Sequence, residues 1–228
     1  MSQENHDEFK EYKEQVVAGA KAIYNMGLVQ FGEGNVSVRV KKTDEFFITP
    51  SQNDYAKMTV NDVVHMKMDG TPISQGKPVS SEYKLHVAIY QARPKVNCVI
   101  HTHSPYASML GIALKEIPPI FEEMITFLGG PVRLAPYTQS GTEELGKVAL
   151  EAMGDTNTCL LTNHAVVACG RDLDKAVKAA SLVEKMAMIY WGALQIGAHV
   201  ETIPEDKIEK FKDMFKGLFS TAPRKKVE

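Results

Sequence analysis

The segment that most constrains the fold is residues 96–100, a short apolar run preceded by Pro94 and followed by the polar cluster His101-Thr102-His103. Bounded in this way, it reads as a fully buried strand that leaves the core at the histidines. Residues 80–92 lead into it with Leu85, Val87, Ala88 and Ile89 at helical spacing, and Pro94 bars the helix from continuing. A helix therefore feeds a buried strand, and the strand carries two imidazoles to its exit.

The remaining pattern supplies the other elements. Residues 7–26 place Phe9, Tyr12, Val16, Val17, Ala20, Ile23 and Tyr24 at helical spacing, with Gly27 as a stop. Alternation over 36–40, a polar turn at 41–44 and residues 45–49 predict a β-hairpin, and residues 63–68 a further strand. A helix is expected over 104–113. Ser140 and Glu143 form a capping-box pair for a helix reaching Met153, and residues 158–161 read as a strand. The nearly all-round apolar pattern of 172–197 predicts a buried helix, and Thr202 with Glu205 a second capping box for a last helix ending near Phe219. The charged tail, 221–228, is expected to be loose. Without a repeat, linker or low-complexity segment, residues 1–228 read as one domain.

Composition excludes several function classes. The 26 Lys and Arg against 28 Asp and Glu leave a net charge of −2, so a dedicated nucleic-acid or anionic-membrane surface is not expected. Cys98, Cys159 and Cys169 are odd in number and sit in apolar surroundings, the pattern of buried reduced thiols, and this predicts a cytoplasmic protein. The charged N-terminus shows no export signal, and no apolar stretch is long enough to span a membrane.

Of seven histidines, His6, His65, His86 and His199 stand alone and read as surface or satisfied core residues. His101 and His103 differ, because a two-residue spacing in an extended chain points both to one face. His164 follows another predicted strand and could join them on a neighbouring strand of one sheet. Three neutral imidazoles with an open position suit a catalytic metal, although the pair taken alone is more often two ordinary polar strand-end histidines. Ser80-Ser81-Glu82 at a helix start fits either an anion site or a serine N-cap, and Glu82 either complements the helix dipole or reaches the metal. Gly32, Gly34 and Asn35 form a loop able to approach phosphate oxygens, and Thr49-Pro50-Ser51 fits a turn as well as an anion clamp.

Taken in order, Gly34-Asn35-Val36-Ser37-Val38-Arg39, Ile48-Thr49-Pro50-Ser51, Ser80-Ser81-Glu82, His101-Thr102-His103 and Asn163-His164 resemble the class II aldolase/adducin family, most of all its L-fuculose-1-phosphate aldolase branch. The resemblance spans residues 10–215. It implies an α/β class of fold, a three-layer α/β/α arrangement with a central, mainly antiparallel sheet. It also implies a homotetramer whose active sites lie between neighbouring subunits. Zinc, with manganese or cobalt as substitutes, would be held by His101, His103, His164 and Glu82, the last leaving when substrate arrives. A phosphate pocket would comprise Gly34, Asn35, Ser51, Gln52, Ser80 and Ser81. The implied reaction is cleavage of a ketose 1-phosphate, a small phosphorylated sugar, to dihydroxyacetone phosphate and an aldehyde, with Glu82 as acid/base.

Three positions depart from the fuculose branch. Glu123 and Met214 stand where that branch carries tyrosines, and Gln52 where the phosphate loop usually has glycine. Glu123 resembles the acid/base glutamate of methylthioribulose-1-phosphate dehydratases, but those do not usually keep a carboxylate at the Glu82 position. Having both favours an aldolase whose second acid/base is Glu123. Otherwise Glu122 and Glu123 are a solvated acidic pair. A dehydratase or 4-epimerase on the same scaffold is the alternative. Decarboxylase relatives usually replace Glu82 by lysine and adducin-type modules lack the ligands, so a non-catalytic role ranks last.

Overall fold

A computed structural model describes residues 3–197 and 199–223. Residues 224–228 of the expected loose tail, and the side chains of residues 3–8 including His6, lie outside the described residues. The chain runs α1 (Gln3–Asn25), β1 (Asn35–Arg39), β2 (Glu45–Ile48), β3 (Val64–Lys67), α2 (Tyr83–Ala92), β4 (Cys98–Thr102) and α3 (Pro105–Ile112). It continues with β5 (Arg133–Ala135), α4 (Glu143–Met153), β6 (Thr158–Leu161), β7 (Ala165–Gly170), α5 (Leu173–Ile196) and α6 (Glu205–Leu218).

The strands form one seven-stranded sheet in the order β3-β2-β1-β4-β7-β6-β5, antiparallel throughout except for the β5–β6 pair. Strand alternation then splits the core in two. Val36, Val38, Cys98, Ile100, Val166 and Ala168 point to one face, where α1, α3 and α5 cover them. Val99, Val167, Cys159, Leu161 and Cys169 point to the other, beneath α2 and α4. This is the expected three-layer α/β/α arrangement. The α2 and α4 axes approach closely at Gly146, where a Cβ would lie 2.5 Å from that of Ala88.

Several expectations shift in detail. The central strand begins two residues later than its apolar run and takes His101 into the ladder, opposite Asn35 on one side and Val167 on the other. β5 and β7 are strands that the sequence pattern does not announce. Thr142, not Ser140, caps α4, its hydroxyl accepting from the Leu145 amide, because Gly141 turns the chain with φ +75° one residue before it. Pro204 occupies the cap of α6, and Thr202 makes no capping bond. Helix α5 is buried on one face over residues 176–187, while Met188, Trp191 and Ile196 stand exposed. The start of the tail is anchored rather than loose. Thr221 is buried, donates its hydroxyl to Asn157 Oδ1 at 2.7 Å, and accepts from the guanidinium of Arg93. Arg93 is itself buried and donates to the Thr156 and Gly154 carbonyls at 2.6 and 2.7 Å, so it ties the end of the chain to the sheet.

All three cysteines are free and buried, as their apolar neighbours predict. Burial pushes the Cys159 thiol up to about 12, and Cys98 is raised in the same way. Among the described residues no helix is long and apolar enough to cross a membrane.

Candidate active site

The sheet topology gathers three strand ends at one edge. β4 ends where its antiparallel neighbours β1 and β7 begin, so Asn35, His101 and the turn before Ala165 lie together, and α2 starts over the same edge. His101 follows Val99 by two residues and therefore faces the α2 layer, and His103 lies one residue beyond the strand. His164 sits in the three-residue turn joining β6 to β7, which closes through Asn163 at φ +53°, a left-handed conformation that asparagine tolerates. Glu82 occupies the N-cap of α2.

The four side chains converge. Donor atoms of Glu82, His101, His103 and His164 all lie within 4.8 Å of one another. The His101 and His103 Nε2 atoms are 3.2 Å apart, Glu82 Oε2 is 3.2 Å from His101 Nε2, and Glu82 Oε1 is 3.1 Å from His164 Nε2. A tetrahedral ion with ligand bonds of about 2.0–2.1 Å spaces its ligands about 3.3 Å apart, so these separations suit one.

The hydrogen bonding points the same way. His101 Nδ1 donates to the Val166 carbonyl at 2.9 Å, which leaves Nε2 bare in the neutral ring. That bare nitrogen faces a second imidazole nitrogen and a carboxylate oxygen. Lone pairs opposed in this way repel unless a cation or proton lies between them. Glu82 Oε1 is buried and accepts no hydrogen bond, an orphaned acceptor that a metal would satisfy. Burial acts to raise the Glu82 carboxyl, but the His101 charge and the His101 and His164 contacts outweigh it and hold Glu82 well below the usual carboxylate range. Burial lowers His101, and Glu82 reverses this to leave it raised. Burial, with its two imidazole neighbours, pushes His103 down to about 4. The donor set is thus a carboxylate beside nitrogen donors, one of them held neutral.

The other expected site residues fall into two groups. Asn35 is buried and donates Nδ2 to Glu82 Oε2 at 3.0 Å. Ser80 is buried, Ser81 exposed, and both precede the first turn of α2. A backbone bridge between Pro50 and Val79, with the Ser51 amide donating to Pro78 at 2.9 Å, lays the Ser51 loop against that segment. Exposed Gln52 takes φ +53° in the same loop. Gly34 has φ +65°, and a Cβ there would lie 2.3 Å from the His101 carbonyl oxygen. Glu123, by contrast, stands apart from the cluster within one chain, exposed and 3.1 Å from Lys185 Nζ.

Gly34→Ala is expected to be damaging for two reasons. The left-handed backbone costs an L-residue about 1–2 kcal/mol, and the added methyl must drive β1 away from His101, a member of the convergent cluster. A lowered melting temperature with reduced bound metal is expected. An unchanged melt and metal content would show that the loop has room.

Sequence reading missed one set of residues. His86, set aside as a lone histidine, is fully buried beneath Glu82 and touches Asn35 and Ser37. The signal was available, because His86 lies four residues after Glu82 on one helix and Ser37 two after Asn35 on one strand. Tyr55, also missed, donates its hydroxyl to the Gly34 carbonyl at 2.8 Å and braces the glycine loop.

Comparison with known proteins places this geometry among relatives. The family model for the Class II Aldolase and Adducin N-terminal domain matches residues 14–191. A Rhodospirillum rubrum protein named 5-methylthioribulose-1-phosphate/5-deoxyribulose-1-phosphate aldolase is 38% identical over 202 residues, 88% of this chain and 89% of that one. A 5-deoxy-D-ribulose 1-phosphate aldolase of Bacillus thuringiensis serovar kurstaki is 34% identical over 90% of this chain and 95% of its own. A solved L-fuculose 1-phosphate aldolase superposes with a TM-score of 0.85 at 30% identity, over 90% of this chain and 96% of that one.

Proposed function

This chain belongs to the class II aldolase and adducin family, and we propose that it is a zinc aldolase cleaving a 5-deoxypentulose 1-phosphate to dihydroxyacetone phosphate and a short aldehyde. The observation that carries the reading is the convergence of Glu82, His101, His103 and His164, with an orphaned carboxylate oxygen among them. The substrate class rests on the two relatives named for 5-deoxyribulose 1-phosphate. The absence of the fuculose-branch tyrosines at Glu123 and Met214 supports the same preference.

His101, His103 and His164 would hold the ion, with Glu82 as the ligand substrate displaces. Bound there, zinc supplies Lewis-acid stabilisation of the negative charge that develops on the substrate oxygens as the carbon–carbon bond breaks. The protein's own groups handle the protons. In cleavage the C4 hydroxyl loses its proton as it becomes the aldehyde, and the bonding pair of C3–C4 stays with C3. Glu82 would take up a proton from solvent on leaving the ligand set and deliver it to C3, completing dihydroxyacetone phosphate, while the C4 hydroxyl proton returns to solvent through the second acid/base. Asn35 steadies the Glu82 carboxylate through its Nδ2 donor.

The phosphate would be bound by Asn35, Ser51, Ser80 and Ser81, beside the Gly34 and Gln52 loops. Ser81→Ala is expected to raise KM for the phosphorylated substrate about tenfold or more, since a hydrogen bond to a charged group is worth about 1.5–3 kcal/mol. Unchanged affinity for inorganic phosphate would reduce Ser81 to a surface residue preceding α2.

Glu123 would take the C4 hydroxyl proton; it is not among the converging donors of one chain and pairs instead with Lys185, so a neighbouring subunit would present it. A homotetramer with sites between subunits answers that need, and Met109, Ile112, Met188 and Trp191, exposed on α3 and α5, offer apolar surface for association. Glu123→Gln is expected to lower kcat by at least a hundredfold with phosphate affinity retained. Wild-type turnover in that variant would assign Glu123 to its ion pair with Lys185.

The reading is tested by supplying a panel of ketose 1-phosphates and measuring dihydroxyacetone phosphate. Release from 5-deoxyribulose 1-phosphate well above that from L-fuculose 1-phosphate is expected. Consumption of substrate without that product would favour a dehydratase or epimerase on the same scaffold.

A further inference from the structure

Beneath the convergent ligands runs a buried polar chain that proton transfer to substrate does not itself use. Tyr90 Oη lies 2.7 Å from Ser37 Oγ, which lies 2.6 Å from His86 Nδ1. His86 Nε2 meets Asn35 Oδ1, and Asn35 Nδ2 reaches Glu82 Oε2 at 3.0 Å. All five side chains are at most 7% exposed. They come from two elements only. Asn35 and Ser37 share one face of β1, while Glu82, His86 and Tyr90 follow at four-residue intervals along one side of α2.

One proton arrangement satisfies the whole chain. A carboxylate only accepts, so Asn35 must present its NH2 to Glu82 and its oxygen to His86. His86 Nε2 must then donate, which leaves Nδ1 as an acceptor for the Ser37 hydroxyl. The Ser37 oxygen in turn accepts from Tyr90. Neighbouring chemistry favours this state, because burial lowers His86 to about 3 and keeps the ring neutral, and burial likewise keeps the Tyr90 hydroxyl protonated. A reversed Asn35 amide would set its oxygen against the carboxylate and its NH2 against the His86 N–H. Both contacts would be repulsive in a site without water-exposed alternatives.

We infer that His86, oriented by Ser37 and Tyr90, is a positioning residue that locks the Asn35 amide toward Glu82 and so holds the reacting carboxylate in place. The inference rests on the aldolase reading for its kinetic consequence and on hydrogen bonding alone for its structural one. Arg39 closes the outer end, donating to the Tyr90 carbonyl and lying 4.7 Å from the Tyr90 ring centroid.

Two measurements test it. In protein labelled with 15N-histidine, His86 should report a neutral ring protonated at Nε2, and Asn35→Ala should remove its protection from solvent exchange. A ring protonated at Nδ1, or at both nitrogens, would overturn the assignment whatever the enzyme's activity. In kinetics, His86→Leu should lower kcat about 10- to 100-fold with bound metal unchanged, as loss of a supporting partner does. His86→Gln, whose amide can still donate to Asn35, should recover most of that loss. In an Asn35→Ala background, adding His86→Leu should change kcat less than twofold. A purely structural histidine would instead give losses that follow the melting temperature, with no rescue by glutamine and full multiplication in the double variant. Should His86→Leu not fold, Ser37→Ala and Tyr90→Phe remove single atoms from the same chain and should each lower kcat several-fold. Wild-type kcat in both would contradict the relay. Absence of dihydroxyacetone phosphate release by the wild type would overturn the aldolase reading instead and leave the labelled-histidine test standing.

Discussion

Replacing His103 or His164 by alanine is expected to remove bound metal and turnover together. Both rings sit on the rim of the cluster, partly exposed, so truncation opens space without emptying the core. A four-ligand zinc site is worth about 10–16 kcal/mol, and sharing this among its ligands gives each roughly 3 kcal/mol, or about a hundredfold in affinity. Dialysis against a mild chelator should therefore strip the variants while the parent keeps its ion. The fold should survive, because both rings are partly exposed at the edge of the sheet. Elemental analysis alongside a thermal melt checks both halves. Stoichiometric metal in both variants would contradict the ligand assignment.

Glu82→Gln should separate metal binding from chemistry. Glutamine keeps the volume of glutamate and can still accept from Asn35, but it carries no charge and exchanges no proton with carbon. Three imidazoles remain, a ligand number that suffices for catalytic zinc. We expect metal content near that of the parent and kcat lowered on the order of 10³-fold, within the usual range for a lost general acid/base. Loss of the ion together with activity would make Glu82 chiefly a ligand. Turnover close to that of the parent would place the proton shuttle elsewhere.

The sequence made the site legible through local spacing, and left obscure what depended on distant packing. His101 and His103 could be paired because two residues in an extended chain share a face, and the buried strand that carries them could be read from its boundaries. His164 attaches to the pair only through the predicted strand that it follows, because the strand after it, β7, gives no alternating pattern. Residues 165–170 pair with β6 across a three-residue turn, and their continuous apolar run shows no alternation because both faces are covered. β5 has three residues and holds its place by parallel pairing with β6, so it carries no period to detect. The displaced caps have a similar origin. Ser140 and Thr202 satisfy a local pattern, but Gly141 and Pro204 fix where the backbone turns. His86 is legible only when two spacings are read together. A lone buried histidine looks inert until the strand that faces it, with Asn35 and Ser37 two residues apart, is placed opposite the helix.

The central claim is that the Glu82 and histidine cluster binds a catalytic metal which this chain uses for aldol cleavage. The most direct test is a metal titration of chelator-stripped protein with 5-deoxyribulose 1-phosphate as substrate, following dihydroxyacetone phosphate. The account predicts no release from the stripped protein and a rise that saturates at one zinc per chain. Full activity in the stripped protein, or saturation of the site without any release, would contradict it.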